Sequence, residues 1–469
     1  MLKKIENGVF YLFLFAIPIS IRHIFGYEPF NFVEWTSVYI YGTDILLFIL
    51  FSFWILRRAP SHDAKVPFVR KVPFVRNFVR KLKITKADWM LFIFVVVAGI
   101  SIKNALDVQT AIFQWFKLIE GVALYFYIKD YALSRFSLDR GFVVLVLSGV
   151  FQSVIAVAQF MTQGSLGLKY LGESPLASAL SGIAAFYVDG IKIMRAYGTT
   201  PHSNVLALYL FIALGTFYCL QFLKIENWKL KIARSTWWWH IFDAVILWAF
   251  FLTFSRTIIG LWTVSFILMS LLSVRALKPS SGRGPSEAGG TDGTGSPGLG
   301  ERVWADNSHK IFWTTIAVVV IFVITYWSYV VNRSSISNGD EAVQLRVLYN
   351  HESLASGHNW FGLGMGNFVP WLMNQNLHLD RGLYQPVHNI YLLIYSETGI
   401  FGILLFILFL ALLLYDFYQR LGFKKLYHFS FGLIIIVVLV VGMFDHFLWT
   451  IQSGRLMLWL VLGLAAGAE

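Results

Sequence analysis

The chain has 469 residues, of which 57% are hydrophobic, 17% aromatic and only 14% charged. This composition excludes an ordinary soluble globular protein and points to a multispanning membrane protein. Its net charge of +12 would suggest nucleic acid in a soluble chain, but here it reads first as loop charge under the positive-inside rule, and no nucleic-acid partner is expected. The single cysteine, Cys219, lies in an apolar run, which excludes an internal disulfide and a thiolate metal cluster.

The expected fold is an all-α polytopic membrane protein of about twelve transmembrane helices. Apolar runs long enough to cross ~30 Å of hydrocarbon at ~1.5 Å per residue fall near 7–25, 36–56, 87–102, 109–129, 141–161, 203–223, 237–255, 257–274, 311–331, 389–416, 428–446 and 447–467. The first run lacks a small-residue cleavage site and is read as a helix, not a removed signal peptide. The run 237–274 is broken only by Ser255-Arg256-Thr257. A guanidinium at the bilayer centre costs ~2.5 to 3.5 kcal/mol or more, so Arg256 is placed at an interface between two helices. The last run is the least regular, with Gln452, Ser453 and Arg455 in its first half.

With the N-terminus inside, more than two thirds of the 38 Lys and Arg fall on the inner segments 1–6, 57–86, 129–140, 224–236, 275–310 and 417–427. Both termini are therefore expected on the cytoplasmic side. Residues 1–331 would hold helices one to nine, 332–388 a large extracytoplasmic loop with short helices, and 389–469 helices ten to twelve. In the basic loop 57–86, Lys65-Val-Pro-Phe-Val-Arg70 repeats at once as Lys71-Val-Pro-Phe-Val-Arg76, read as a duplication or an anionic-lipid contact. The segment 278–310 is rich in Gly, Ser and Pro between Pro279 and Gly300 and reads as a flexible cytoplasmic linker.

The outer side then holds the excursion 162–202, the loop 332–388 and short turns at Arg256 and at Asp445-His446. The first excursion includes an apolar segment, Pro175 to Val188, too short to span and expected along the interface. Arg195, Arg256, Arg346, His388 and Asp445-His446 thus gather on one side of the membrane from loop charge alone. An outer arginine is most often a headgroup anchor. An arginine aimed into a cavity instead offers a permanently charged fork suited to phosphate oxygens. Gly362-Leu-Gly-Met-Gly366 resembles a nucleotide-binding glycine run but lacks the strand and helix around it and is read as a tight turn. His351, His358, His378, His388 and His446 fall at no metal-ligand spacing, so no metal and no cofactor are expected. Lys117 and Glu120, three apart in the fourth helix, are read as a self-neutralised pair.

Taken together, Arg195, Gly198, Thr199 and Asn204 before a helix, Ser255-Arg256 between helices, Arg346 in a large outer loop, the turn Gly362 to Phe368, His388-Asn389-Ile-Tyr-Leu and Glu397-Thr-Gly-Ile-Phe-Gly402 resemble the bacterial O-antigen ligase and polymerase superfamily. The resemblance covers roughly Ile193 to the C-terminus, and the first five helices match only in number and hydropathy. It implies inverting, metal-independent transfer of a glycan from an undecaprenyl-diphosphate-linked donor to an acceptor hydroxyl at the outer face of the bacterial cytoplasmic membrane. By position, His388 would be the base, Arg195 and Arg256 would bind the diphosphate, and Arg346 would add a contact. Asn204, Asn389, Glu397, Asp445, His446 and Arg455 would be supporting residues. In Thr200-Pro201-His202-Ser203-Asn204 many relatives carry proline just before the asparagine, and this departure makes His202 a second candidate base.

A neutral imidazole with an unperturbed pKa of ~6.5 suits the acceptance of a hydroxyl proton, and fixed cations stabilise a leaving diphosphate. The alternative is a transporter or flippase of lipid-linked oligosaccharides, whose charges belong near the midplane with internal repeats. Neither feature is found in the sequence. A third reading, an outer-face scaffold for other envelope enzymes, requires no histidine. The acceptor, a hydroxyl on a lipid core, a glycan or a protein, is written in no motif.

Overall fold

In a computed structural model of the chain, the structure describes residues 2–25, 34–58, 83–180, 182–222, 236–276, 299–334, 341–356, 360–375, 377, 379–421 and 426–467. The repeated hexapeptides, His358, His378 and residues 278–298 of the linker lie outside the described residues, while residues 299–310, expected to be flexible, are helical. The long helices are α1 (Leu2–Ala16), α2 (Gly42–Arg58), α3 (Lys86–Ser101), α4 (Val108–Tyr127), α5 (Leu138–Thr162), α6 (Ser203–Phe222), α7 (Thr236–Leu252), α8 (Arg256–Ala276) and α9 (Leu299–Thr325). They continue with α10 (Trp327–Ser334), α11 (Glu341–Ser356), the short α12 (Phe368–Met373), α13 (Ile390–Leu421), α14 (Leu426–Val441), the short α15 (Phe447–Thr450) and α16 (Gln452–Gly467).

Among the described residues, five helices are long and apolar enough to cross a membrane, or six if the pair 309–325 and 327–334, bent by 86°, counts as one. Twelve were expected. Part of the shortfall lies where an apolar run is longer than the helix inside it. The first run gives a helix only to Ala16, and Arg22–Phe25 then pairs with Val38–Tyr41 as the antiparallel strands β1 and β2. At ~1.5 Å per residue, helices the length of α1, α2 and α16 fall short of ~30 Å. The last run breaks at Ile451, with α15 and α16 on either side. The fold is therefore mostly helical but not all-α. The apolar segment expected along the interface is in part a second hairpin, β3 (Ala185–Val188) paired with β4 (Ile191–Met194). Large side chains such as Phe48, Met161 and Ile324 are exposed on the helix faces, which suits an apolar surrounding.

The glycine run is the tight turn expected, and it has a partner. Helix α13 is broken at Gly399, whose φ is 73°. The carbonyls of Ser396 and Glu397 accept instead from the N–H groups of Leu363 at 2.8 Å and Gly364 at 2.9 Å. A Cβ on Gly362, itself at φ +68°, would lie 2.5 Å from the Glu397 carbonyl carbon. Glycine is needed there so that one backbone can cap the break in another, which satisfies groups that lipid could not. The same turn is tied to the start of α4, where Asn367 Oδ1 accepts from the Asp107 N–H at 2.7 Å and the Gly362 carbonyl accepts from Asn104 at 2.9 Å.

Lys117 and Glu120 do contact each other, at 2.9 Å, but they are not self-contained. Lys117 also holds Asp44 of α2 at 2.5 Å, and Gln452 of α16 donates to Asp44 at 2.6 Å and to Glu120 at 2.8 Å. One ammonium between two carboxylates, with an amide closing the ring, joins three helices.

Candidate active site

The loop from Arg195 to Asn204 forms one wall of the site. Two glutamines a double turn apart on α5, hence on one face, lock it. Gln159 accepts from the Gly198 N–H at 2.8 Å and donates to the Gly198 carbonyl at 2.9 Å. Gln152 accepts from the Thr199 N–H and donates to its hydroxyl, both at 2.8 Å. Gly198 has φ +62°, and a Cβ there would lie 2.5 Å from Gln152 Oε1, so this glycine of the sequence motif is a packing requirement.

Arg195 is only 5% exposed. Its Nε donates to the Thr253 carbonyl at 2.5 Å and its Nη2 to Asn204 Oδ1 at 2.6 Å. Among the described residues its Nη1 makes no bond. The Thr253 carbonyl, which also accepts from Ser203 at 3.0 Å, is aimed by a strained turn in which Phe254 has φ 44°. That conformation costs on the order of 1 kcal/mol or more for a residue with a side chain. The rings of Phe160, Phe186, Phe322 and Tyr329 surround Phe254 and hold it there.

Arg256 opens α8 directly after this turn, and its Nη1 lies 3.5 Å from the Arg333 carbonyl. Arg333 Nε in turn lies 3.4 Å from the Phe254 carbonyl. Sequence reading missed Arg333. Its only signal was an arginine at the end of an apolar run, where a headgroup anchor is the ordinary expectation. Burial and then the Arg333 charge push Arg195 down to about 9, with Arg256 adding to the effect and Asp445 opposing it. The guanidinium therefore stays cationic at neutral pH inside a region of accumulated positive charge.

From Arg195 a chain of bonds leads to the histidines. Asn204 Nδ2 donates to Asp445 Oδ2 at 2.7 Å, and Asp445 Oδ1 accepts from the His446 N–H at 2.8 Å. His446 Nδ1 pairs with the Thr450 hydroxyl at 2.7 Å. The His388 ring meets His446 edge to face at 4.9 Å and lies parallel to Tyr349 at 6.0 Å. His202 accepts from the Asn204 N–H through Nδ1 at 3.1 Å. Nδ1 of His388 is buried and has no hydrogen-bond partner among the described residues, whereas Nδ1 of His202 and of His446 is engaged.

Burial, helped by Arg346, holds His388 below the usual imidazole range against the pull of Asp445. Burial likewise lowers His446 and His202. Burial works against the Asp445 carboxylate, yet the three imidazoles and the Asn204 bond outweigh it and keep the group below the usual carboxylate range. At neutral pH the cluster is one carboxylate among neutral imidazoles. Arg346 is exposed on α11, and its charge nevertheless reaches all three rings.

Three of the expected supporting residues have other places. Asn389 caps α13, its Oδ1 accepting from the N–H groups of Tyr391 at 2.9 Å and Leu392 at 3.1 Å, which is a structural task. Glu397 stands at the break in α13, facing the N–H groups of Gly366 and Phe368. Arg455 donates to the Trp449 carbonyl at 2.6 Å and to Gln114. These last two line a small pocket together with Trp35, Pro201 and Thr450. Among the described residues no group of three or more His, Cys, Asp or Glu is placed to hold a metal ion.

No protein-family model and no curated protein matches this chain. The chemistry of the site therefore rests on its own residues.

Proposed function

We propose that this protein is an inverting glycosyltransferase of the O-antigen ligase and polymerase type. It would move a glycan from an undecaprenyl-diphosphate-linked donor to an acceptor hydroxyl at the outer face of the bacterial cytoplasmic membrane. On this reading the shorter helices complete twelve crossings and both termini are cytoplasmic. The observation that carries the proposal is the pairing, across Asn204 and Asp445, of a buried cationic group at Arg195 with a neutral imidazole at His388. Arg195, Arg256 and Arg333 receive the diphosphate. His388 takes the proton of the acceptor O–H as that oxygen bonds to the anomeric carbon. The bond from that carbon to the diphosphate oxygen breaks, and its electron pair leaves with the diphosphate, where fixed cations stabilise it.

The test is transfer by purified protein in lipid nanodiscs, given lipid-diphosphate glycan and acceptor in excess chelator. Product with an inverted anomeric centre is expected, and Arg333→Ala is expected to slow its formation ~10- to 100-fold. Movement of the donor between leaflets without any transfer would replace this reading with the transporter. Dependence on a single divalent ion would replace the metal-independent mechanism.

A further inference from the structure

A cavity of about 830 Å³ lies among the last turns of α6, α13 and α16 and the opening turns of α5 and α14. Its volume is that of a small-molecule site, ~300 to 1,000 Å³. Helix α6 runs from beside His202 to Cys219 in the cavity wall, so the cavity stands at the opposite end of the bundle from the histidines. Its wall is divided. Leu133, Leu138, Phe142, Phe431 and Leu464 make one side apolar, while Lys83, Lys129, Asp130, Asp416 and Arg420 bring charges of both signs. Lys129 and Asp130 follow one another in a π-helical turn, Ile128–Ala132, that directly continues α4, and widened turns of this kind recur at functional sites. Lys129 is held by Asp88 and by the Lys83 carbonyl at 3.0 Å. Arg420 is fixed at the rim by the carbonyls of Ala466 at 2.7 Å and Ala465 at 2.9 Å. Ser134, Leu138 and Gln419 are exposed at the edge, so the cavity is open.

This divided wall decides between ligands. A small soluble ion would leave the apolar side against water, and a hydrocarbon alone would strand the charged side without partners. A purely anionic head would meet Asp130 and Asp416, and a purely cationic one would meet Lys83 and Arg420. An amphiphile whose head carries both signs fits all of it. Resting on the membrane reading of the chain and not on its transfer chemistry, we propose that this cavity holds a phospholipid with a phosphoethanolamine head. The phosphate lies toward Lys83 and Arg420, the ammonium toward Asp130 and Asp416, and an acyl chain along Leu133, Phe142 and Leu464. A primary ammonium offers three N–H donors to the carboxylates, as a lysine does. A trimethylammonium offers none, and a glycerol head offers no cation.

The test uses the full-length protein in detergent, mixed with equal amounts of phosphatidylethanolamine, phosphatidylcholine and phosphatidylglycerol, and native mass spectrometry reads the lipids that stay bound. The expected result is one phosphatidylethanolamine per chain, preferred about tenfold over each of the others, the worth of one charge-assisted hydrogen bond. Asp130→Asn combined with Asp416→Asn keeps both shapes and removes both charges. It should abolish the preference, with an unchanged Tm in phosphatidylcholine as the sign of correct folding. Free glycerophosphoethanolamine, the same head without chains, should bind at least tenfold more weakly than the lipid, because the apolar side is then unused. Equal retention of the three lipids by the wild type, or a preference for phosphatidylglycerol, would overturn the proposal whether or not the variant folds. So would an undiminished preference in the folded variant, or a free head bound as tightly as the lipid. None of these readouts depends on glycan transfer, so they stand or fall separately from the proposed activity.

Discussion

At the end of the helical bundle away from the histidines, the fully buried Glu6 holds Arg57 at 2.8 Å and Arg135 at 3.1 Å and also bonds to Tyr131. Nearby, the buried Asp88 is met by Lys129, by Tyr125 at 2.7 Å and by the start of its own helix at Thr85. At the histidine end the same type of residue is treated differently. Arg195, more deeply buried than Arg57 or Arg135, faces a carbonyl and an amide, and its carboxylate, Asp445, stands one side chain away behind Asn204. Charge at the first end is neutralised by direct contact, as a structural ion pair requires. Charge at the second end is held but left positive, a costly arrangement in a low-dielectric setting unless an anion is to arrive. The lesson is that burial alone does not mark a site. What marks it is burial combined with incomplete neutralisation.

The sharpest way to break that comparison is His388→Ala. If the histidine end is the reacting end, transfer should fall ~10²- to 10⁴-fold, while pyrophosphate titration gives an unchanged affinity. Retained turnover would move the base to His202 or His446, or remove it altogether. At the other end, Lys129→Met strands Asp88 and should cost about 3 to 5 kcal/mol of stability, read as a lowered Tm, with the protein that remains folded transferring at the normal rate. A loss of turnover without a loss of Tm would show that the two ends are not separable.

Arg195→Lys keeps the charge but loses the fork that reaches Thr253 and Asn204 together. A charged hydrogen bond worth about 1.5 to 3 kcal/mol then translates to ~10- to 100-fold slower transfer, and equal rates for lysine and arginine would mean that only net charge matters. The smallest effect is on pH dependence. His388 is lowered from its ordinary value of 6.5, so its neutral form is present above 6.5 and is lost only as pH falls through the shifted value. The rate should therefore hold between pH 8 and 6.5 and decline only below that, by about tenfold per pH unit at the limit. An acid limb centred above 6.5 would contradict the neutral imidazole.

The mostly helical, apolar character of the chain was legible because hydrophobic length is a property of sequence alone, but the expected twelve spans were not matched by the five or six helices that are long and apolar enough among the described residues. Also legible was the gathering of Arg195, Arg256, Arg346, His388 and Asp445-His446, since loop charge orders the loops before any contact is known. Where each apolar run stops being helical was not legible. Residues 22–25 and 38–41 lie inside or at the start of runs read as helix, and their pairing as antiparallel strands is a contact across the chain that no local pattern announced. The break at Gly399 depends on the N–H groups of Leu363 and Gly364, supplied from more than thirty residues earlier. Arg333 went unnoticed because its meaning lies in its charge beside Arg195, not in its neighbours in sequence. Asn389 read as a site residue and is a helix cap for the same reason. Sequence by itself determined that most of the chain is apolar helix. Tertiary structure decided which charges are neutralised, because that depends on distances of a few ångströms between side chains far apart in the chain.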